Sequence, residues 1–136
     1  MAWPRTSARI VLRLLWVLAA APWSRPAPAC EICVEDHVAA TYDHGVIARA
    51  EASGQNVLFV AVRGKDVAAP RSEAAIRGAL AAVAGVDRAS VRYSVFPAAA
   101  SFAWNPKRIS SADVLRAVNG GLGGSGLSLV ALKVIR

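Results

Sequence analysis

The feature that most limits the fold of this chain is a hydrophobic period that changes repeatedly after residue 56. The run V57-L-F-V-A-V62 is short, apolar and rich in valine, which predicts a buried strand. After Pro70, apolar residues return every three or four positions, which predicts an amphipathic helix that ends at Gly85. These residues are Ile76, Leu80 and Val83. The first unit is therefore a strand followed by a helix.

The next segment repeats this change of period. The runs S90-V-R-Y-S-V-F96 and A100-S-F-A-W-N105 both alternate and are separated by a short turn, so we expect a hairpin of two strands. Ser110 and Asp113 then stand at capping-box spacing and predict the start of a second helix. Asn119-Gly120-Gly121 is expected to end that helix, because glycine suits a helix C-terminus.

The last apolar run, L127-S-L-V-A-L-K-V-I135, predicts a fourth strand. The resulting order βαββαβ predicts an α+β fold of the ferredoxin-like kind, an antiparallel sheet with both helices on one face. The connector G121-L-G-G-S-G126 matches the glycine fingerprint of dinucleotide-binding proteins. That fingerprint requires a strand before it and a helix after it, and here the order is reversed. We therefore expect a loop here and no nucleotide site.

Four stretches follow the spacing of a known family: A75-I-R-G-A-L-A-A-V-A-G-V86, Y93-S-V-F96, F102-A-W-N-P106 and S111-A-D-V-L-R-A-V118. Through them, residues 57–136 resemble the heavy-metal-associated (HMA) domain. This is the ferredoxin-like module of copper chaperones, copper-pump N-terminal domains and mercury-binding periplasmic proteins.

The resemblance implies a fold and a link to metals, but the metal loop of the family is altered in this chain. Family members bind metal through two cysteines between the first strand and the first helix. Ala69 and Ser72 occupy the corresponding positions here, and neither supplies a thiolate. The fold alone therefore predicts no function for this loop.

The first 29 residues have the layout of a secretory signal peptide. Three arginines precede an apolar run from Leu14 to Ala21, which is shorter than the about 20 residues that span a bilayer. Ala27-Pro28-Ala29 supplies the small residues that a signal peptidase reads. We predict cleavage before Cys30 and a periplasmic or secreted protein with no stable membrane span. A lipid anchor at Cys30 is the alternative, although Ala27 stands where lipoprotein signals usually carry leucine.

Removal of the signal changes what the charge of the chain implies. The chain of 136 residues carries a formal charge of +7, and four of its arginines lie in the first 29 residues, so 107 residues with a charge of +3 remain. This length suffices for one small hydrophobic core. The remainder holds no basic block with interleaved aromatic residues, so we predict no nucleic-acid partner. It also holds only two histidines and nothing that resembles a catalytic triad, so we do not expect an enzyme.

Both cysteines lie in the stretch C30-E-I-C-V-E-D-H37. Residues 31–50 contain no proline and one glycine, which predicts a helix. On one continuous helix Cys30, Cys33, His37 and His44 would share a face. Cys33 and His37 would lie about 6 Å apart along the axis, whereas His44 would lie about 16 Å beyond Cys33. We therefore predict a metal site made of Cys30, Cys33 and His37, without His44.

Two thiolates and an imidazole suit a soft ion, with Cu(I) or Zn(II) as the first candidates and mercury-class ions as others. This donor set predicts an exported metal chaperone or sequestering protein that hands metal to a partner protein. In an oxidising compartment the same cysteines can form a disulfide. The alternative is therefore a thiol-disulfide or structural protein whose ferredoxin-like domain binds a partner without metal.

The predicted organisation has three parts. They are a signal peptide at residues 1–29, a helical extension with the CxxC motif at residues 30–55, and an HMA-like domain at residues 56–136. The strand and helix patterns of the last part supply apolar faces of their own. We therefore expect it to fold without the extension or a metal.

Overall fold

The computed structural model of this protein describes residues 33–136, and at its centre lies an antiparallel sheet of four strands. The strands are β1 (Asn56–Gly64), β2 (Arg92–Ser94), β3 (Ala99–Trp104) and β4 (Leu127–Ile135). Their order across the sheet is β2-β3-β1-β4, and every neighbouring pair is antiparallel. The predicted α+β class is confirmed, and this order is compatible with the ferredoxin-like arrangement.

Four α-helices accompany the sheet in the described part of the chain. They are α1 (Val34–Thr41), α2 (His44–Ala52), α3 (Pro70–Ala81) and α4 (Ser111–Leu122). Helices α3 and α4 lie on one face of the sheet, as predicted, because their apolar residues share a single buried cluster with alternate residues of β1. Its buried members include Leu58, Ile76, Leu80, Phe102, Trp104 and Leu122.

Helix α4 begins as the sequence predicts and ends later. The Ser110 hydroxyl accepts a hydrogen bond from the Asp113 amide at 3.2 Å, which confirms the N-cap. The expected stop at residues 119–121 is wrong, because the helix continues to Leu122, a residue that is 1 % exposed in the core. The Asn119 side chain also bonds both backbone groups of Leu129, which fixes this turn against β4. Tertiary packing therefore outweighs the low helix propensity of the two glycines.

The strand predicted over residues 90–96 is much shorter in the structure. Ser90 belongs to a 3₁₀ turn, and β2 contains only three residues, Arg92 to Ser94. The Ser90 hydroxyl accepts a hydrogen bond from the Ala103 amide at 2.7 Å, so this turn is fixed to β3 by a side chain. Val95, which continues the alternation in sequence, and Phe96 both lie in the exposed turn that leads to β3.

The predicted single helix over residues 31–50 is also wrong within its described part, since α1 and α2 are separate helices. Both pack on the face of the sheet opposite α3 and α4. Val46 and Ala50 of α2 are buried there against Val57, Phe59 and Ala103. Helices therefore cover both faces of β1 and β3, and all six residues of β3 are buried. β1 and β3 carry apolar residues on this second face as well, so it must also be shielded from water by helices.

The corner between α1 and α2 is tied to the sheet by an ion pair. Asp43 is the N-cap of α2, where its carboxylate accepts from the Val46 amide at 3.1 Å. The same carboxylate accepts from Nε of Arg92 on β2 at 2.8 Å. The hydrogen bond from Arg92 lowers the pKa of Asp43 below its ordinary value, and the hydrogen bond from Val46 makes the second-largest contribution. The pair joins residues 49 positions apart and fixes the extension to the sheet.

We expect Asp43→Asn to lower the thermal unfolding temperature at neutral pH, since asparagine preserves the N-cap but loses the charge that faces Arg92. The pKa of Asp43 is lower in the folded state, so its stabilising effect is present above the unfolded-state pKa and is lost as the pH falls through the folded-state value. The difference between parent and variant should therefore shrink below about pH 4. Melting curves at several pH values test this, and an equal difference at pH 7 and at pH 3 would contradict it.

Candidate metal site

Cys33 lies at the start of α1 and is the first residue that the structure describes. It is the N-cap residue of the helix, and its thiol is free and exposed. The amide of Asp36 donates to the Cys33 carbonyl at 2.8 Å, so the backbone here is already held in the first helical turn. The thiol is therefore accessible to an ion or to a partner, while the backbone that carries it is ordered by the helix.

His37 lies one turn further along α1 and is half-buried. Its Nδ1 is 3.4 Å from the carbonyl oxygen of Cys33, so the ring lies over the turn that carries the thiol. Side chains four residues apart on a helix have Cβ atoms about 5–6 Å apart. A thiolate and an imidazole at this spacing can bind one ion together. Glu35 and Asp36 occupy the same first turn, where acidic side chains favour the helix N-terminus.

Cys33, His37 and His44 do not lie on one continuous helix, which the predicted common face requires. Helix α1 ends at Thr41, and His44 is the first residue of α2, so the two histidines belong to different helices. On a continuous helix, distance alone excludes His44 from the site. In the structure, the break between α1 and α2 also separates His44 from Cys33. Cys30 lies outside the described residues. Within residues 33–136 no three histidine, cysteine or acidic side chains are grouped so that they could hold a metal ion.

The position of α1 depends on residues that belong to no recognisable sequence motif. The Ser101 hydroxyl of β3 donates to the Thr41 carbonyl at 2.9 Å in a buried environment. The Thr41 hydroxyl in turn donates to the His37 carbonyl at 3.3 Å, so this chain of bonds runs from the sheet to the turn that carries the imidazole. Together with the Asp43–Arg92 pair, it holds the C-terminal end of α1 on the sheet. A signal for the break existed in Y42-D-H-G45, where aspartate is a preferred N-cap.

The loop that would carry the metal in the HMA family is closed by its own hydrogen bonds. Ala69 is the N-cap of α3, and Ser72 is only 3 % exposed. The Ser72 hydroxyl donates to the Asp66 carbonyl at 2.8 Å, and Arg71 pairs with the Asp66 carboxylate at 3.0 Å. These two charged side chains are largely exposed. The loop thus has no thiol, and its buried hydroxyl is already bonded.

Comparison of the chain with family models, with curated proteins and with solved structures finds no match. The resemblance to the HMA domain therefore stays a prediction. Among the helices of residues 33–136, none combines the length and the apolar character that crossing a membrane requires. The predicted signal peptide, its cleavage site and a lipid anchor at Cys30 all fall outside the described residues.

Proposed function

We propose that this protein is an exported soft-metal-binding protein that holds Cu(I) or Zn(II) through Cys30, Cys33 and His37. The observation that supports the proposal best is an exposed thiol at the start of α1 with an imidazole one turn later. Thiolate and imidazole donors favour soft and borderline ions over magnesium or calcium. The compatibility of the sheet with a ferredoxin-like fold, and the resemblance to the HMA domain, point to the same class of ligand.

The arrangement suits delivery or sequestration of an ion better than a purely structural site. Structural zinc sites are closed by four protein ligands, whereas this donor set has three. An ion held by three ligands keeps a position for a ligand from a partner protein. The Cys33 end of α1 is exposed, while hydrogen bonds fix its other end to the sheet. Such a helix presents the ion to a partner without unfolding of the core.

Anaerobic titration of the reduced protein with Cu(I) and with Zn(II), against a competing chelator, tests the proposal. We expect about one equivalent to bind, and Cys30→Ser or Cys33→Ser to abolish binding because each removes a thiolate. His37→Ala should weaken binding by about 10- to 100-fold, the range typical for loss of a supporting group around a metal. The measured quantity is the dissociation constant of each variant.

His44→Ala is the matched control, because it removes the other histidine of the chain from a separate helix and should leave the constant unchanged. Two results would contradict the proposal. One is parental affinity in both cysteine variants, and the other is an affinity of the parent no greater than that of free thiols. In either case the thiol-disulfide interpretation would take precedence, and a reversible Cys30–Cys33 disulfide would be the next property to measure.

A further inference from the structure

A groove beside α1 carries exposed apolar side chains that no part of residues 33–136 covers. Its volume is about 360 Å³, and its walls are formed by Val34, Glu35, Val38, Ala39, Tyr42 and Lys133. Val34 is 42 % exposed and Tyr42 is 52 % exposed. Val130 is 45 % exposed and lies on the same face of the sheet as Lys133. Val130 pairs with Ala61 of β1 and Lys133 pairs with Phe59, and residues two positions apart on a strand point to the same face. Concentration of apolar side chains around one groove is typical of a protein-protein contact.

The charges of this groove favour a second copy of the chain as the occupant. Glu35 and Lys133 are its only charged residues, and neither forms an ion pair within residues 33–136. In a two-fold contact the same patch meets itself, so residue i of one copy faces residue j of the other. One acid and one base in the same groove satisfy this requirement. Residues 30–136 carry a formal charge of +3, so two copies repel each other and approach at least cost through a neutral patch.

The edge of the sheet is a less suitable contact than the groove. β4 is an edge strand, but the Asn119 side chain already bonds the amide of Leu129 at 2.7 Å and its carbonyl at 3.0 Å. The register of β4 against β1 also shifts between Phe59 and Val60, and Lys133 stands exposed just beyond this irregularity. Bulges and lysines are the features by which natural edge strands avoid pairing with other chains. The β4 edge is therefore poorly suited to pairing with a second copy.

We propose that this protein forms a two-fold dimer through the groove beside α1. Glu35 of each copy faces Lys133 of the other, and Val34, Tyr42 and Val130 form the apolar centre of the contact. The proposal is independent of the metal function, since neither Cys33 nor His37 lines the groove.

Sedimentation velocity over a concentration series tests this dimer, on protein recovered after export and kept with a reductant and a chelator. These additives remove disulfide-linked and metal-bridged species. Glu35→Lys and Lys133→Glu should each raise the dimer dissociation constant at least about tenfold, because each places like charges together at two symmetric positions. The double variant should return toward the parental constant. Glu35→Lys also destabilises the start of α1, because it removes an acidic side chain from the helix N-terminus. The double variant keeps this destabilisation. A return of its dissociation constant toward the parental value therefore reports the contact between Glu35 and Lys133 itself.

Tyr42→Ser and Phe96→Ser form a matched pair of apolar removals. Phe96 is 86 % exposed in the turn between β2 and β3, and it does not line the groove. Tyr42→Ser should weaken the dimer and Phe96→Ser should leave it unchanged. A parent that sediments as a monomer at all concentrations would overturn the proposal. A double charge variant without recovery, or equal effects of the two serine substitutions, would also overturn it.

Discussion

Deletion of residues 1–55 is expected to leave a chain that no longer unfolds in a cooperative transition, or that does not stay soluble. This deletion removes α1 and α2 and uncovers Val57, Phe59 and Ala103, each at most 2 % exposed in the intact chain. Burial of one valine or phenylalanine side chain stabilises by about 1.5–3 kcal/mol. Loss of several such contacts removes a large share of the about 5–15 kcal/mol that stabilises a typical domain.

Deletion of residues 1–29 is the matched control for this experiment. All the contacts that α1 and α2 make with the sheet lie within residues 33–136, so this shorter deletion should keep a cooperative melt. Circular dichroism during heating compares the two truncated chains at equal concentration. Similar transitions in both would show that residues 56–136 fold alone, as their strand and helix patterns predict, and would contradict the expectation drawn from the packing.

The elements from β1 onward follow closely from the sequence, because local period and capping chemistry decide them. Ser110 illustrates this, since its hydroxyl caps α4 as the capping-box spacing predicts. Their limits depend on distant contacts. Leu122 extends α4 because it reaches the core, and Ser90 shortens the second strand because its hydroxyl bonds Ala103. No window of neighbouring residues contains these contacts.

The layer formed by α1 and α2 had a signal in the sequence that could have predicted it. V57-L-F-V-A-V62 is apolar at every position, whereas a strand with one face in water alternates. Leu58 and Val60 face α3 and α4, and Val57 and Phe59 face the extension. A continuous apolar run in the central strand therefore predicts cover on both faces. The sequence does not say which segment supplies the second cover.

The candidate site shows the same division between local and distant causes. The closeness of Cys33 and His37 needs only one helical turn, so sequence spacing predicts it. The placement of His44 on a different helix depends on the corner at Asp43, which bonds Arg92 on β2. Aspartate suggests a helix start, but its partner 49 positions away cannot be inferred from spacing.

The three phenylalanines of this chain provide a test of the second layer by substitution. Phe59 and Phe102 are both at most 1 % exposed, Phe59 beneath α1 and α2 and Phe102 in the core with α3 and α4, whereas Phe96 is 86 % exposed. Phe59→Ala and Phe102→Ala should each lower the free energy of unfolding by about 3–5 kcal/mol, since both leave a cavity in a packed interior. Phe96→Ala should change it by no more than about 0.5 kcal/mol, as is usual for an exposed position.

Urea-induced unfolding measures these free energies, with the slope of the transition as a check that the denatured state is unchanged. The comparison between Phe59 and Phe102 decides whether α1 and α2 pack firmly on the sheet. If α1 and α2 cover the sheet as firmly as α3 and α4, the two losses should be similar, because the side chain and the degree of burial are the same. A loss for Phe59→Ala that resembles the one for Phe96→Ala, beside a full loss for Phe102→Ala, would mean that the extension leaves the sheet in solution. The helix that carries Cys33 and His37 would then lack a fixed position, and both the metal site and the dimer groove would lose their structural basis.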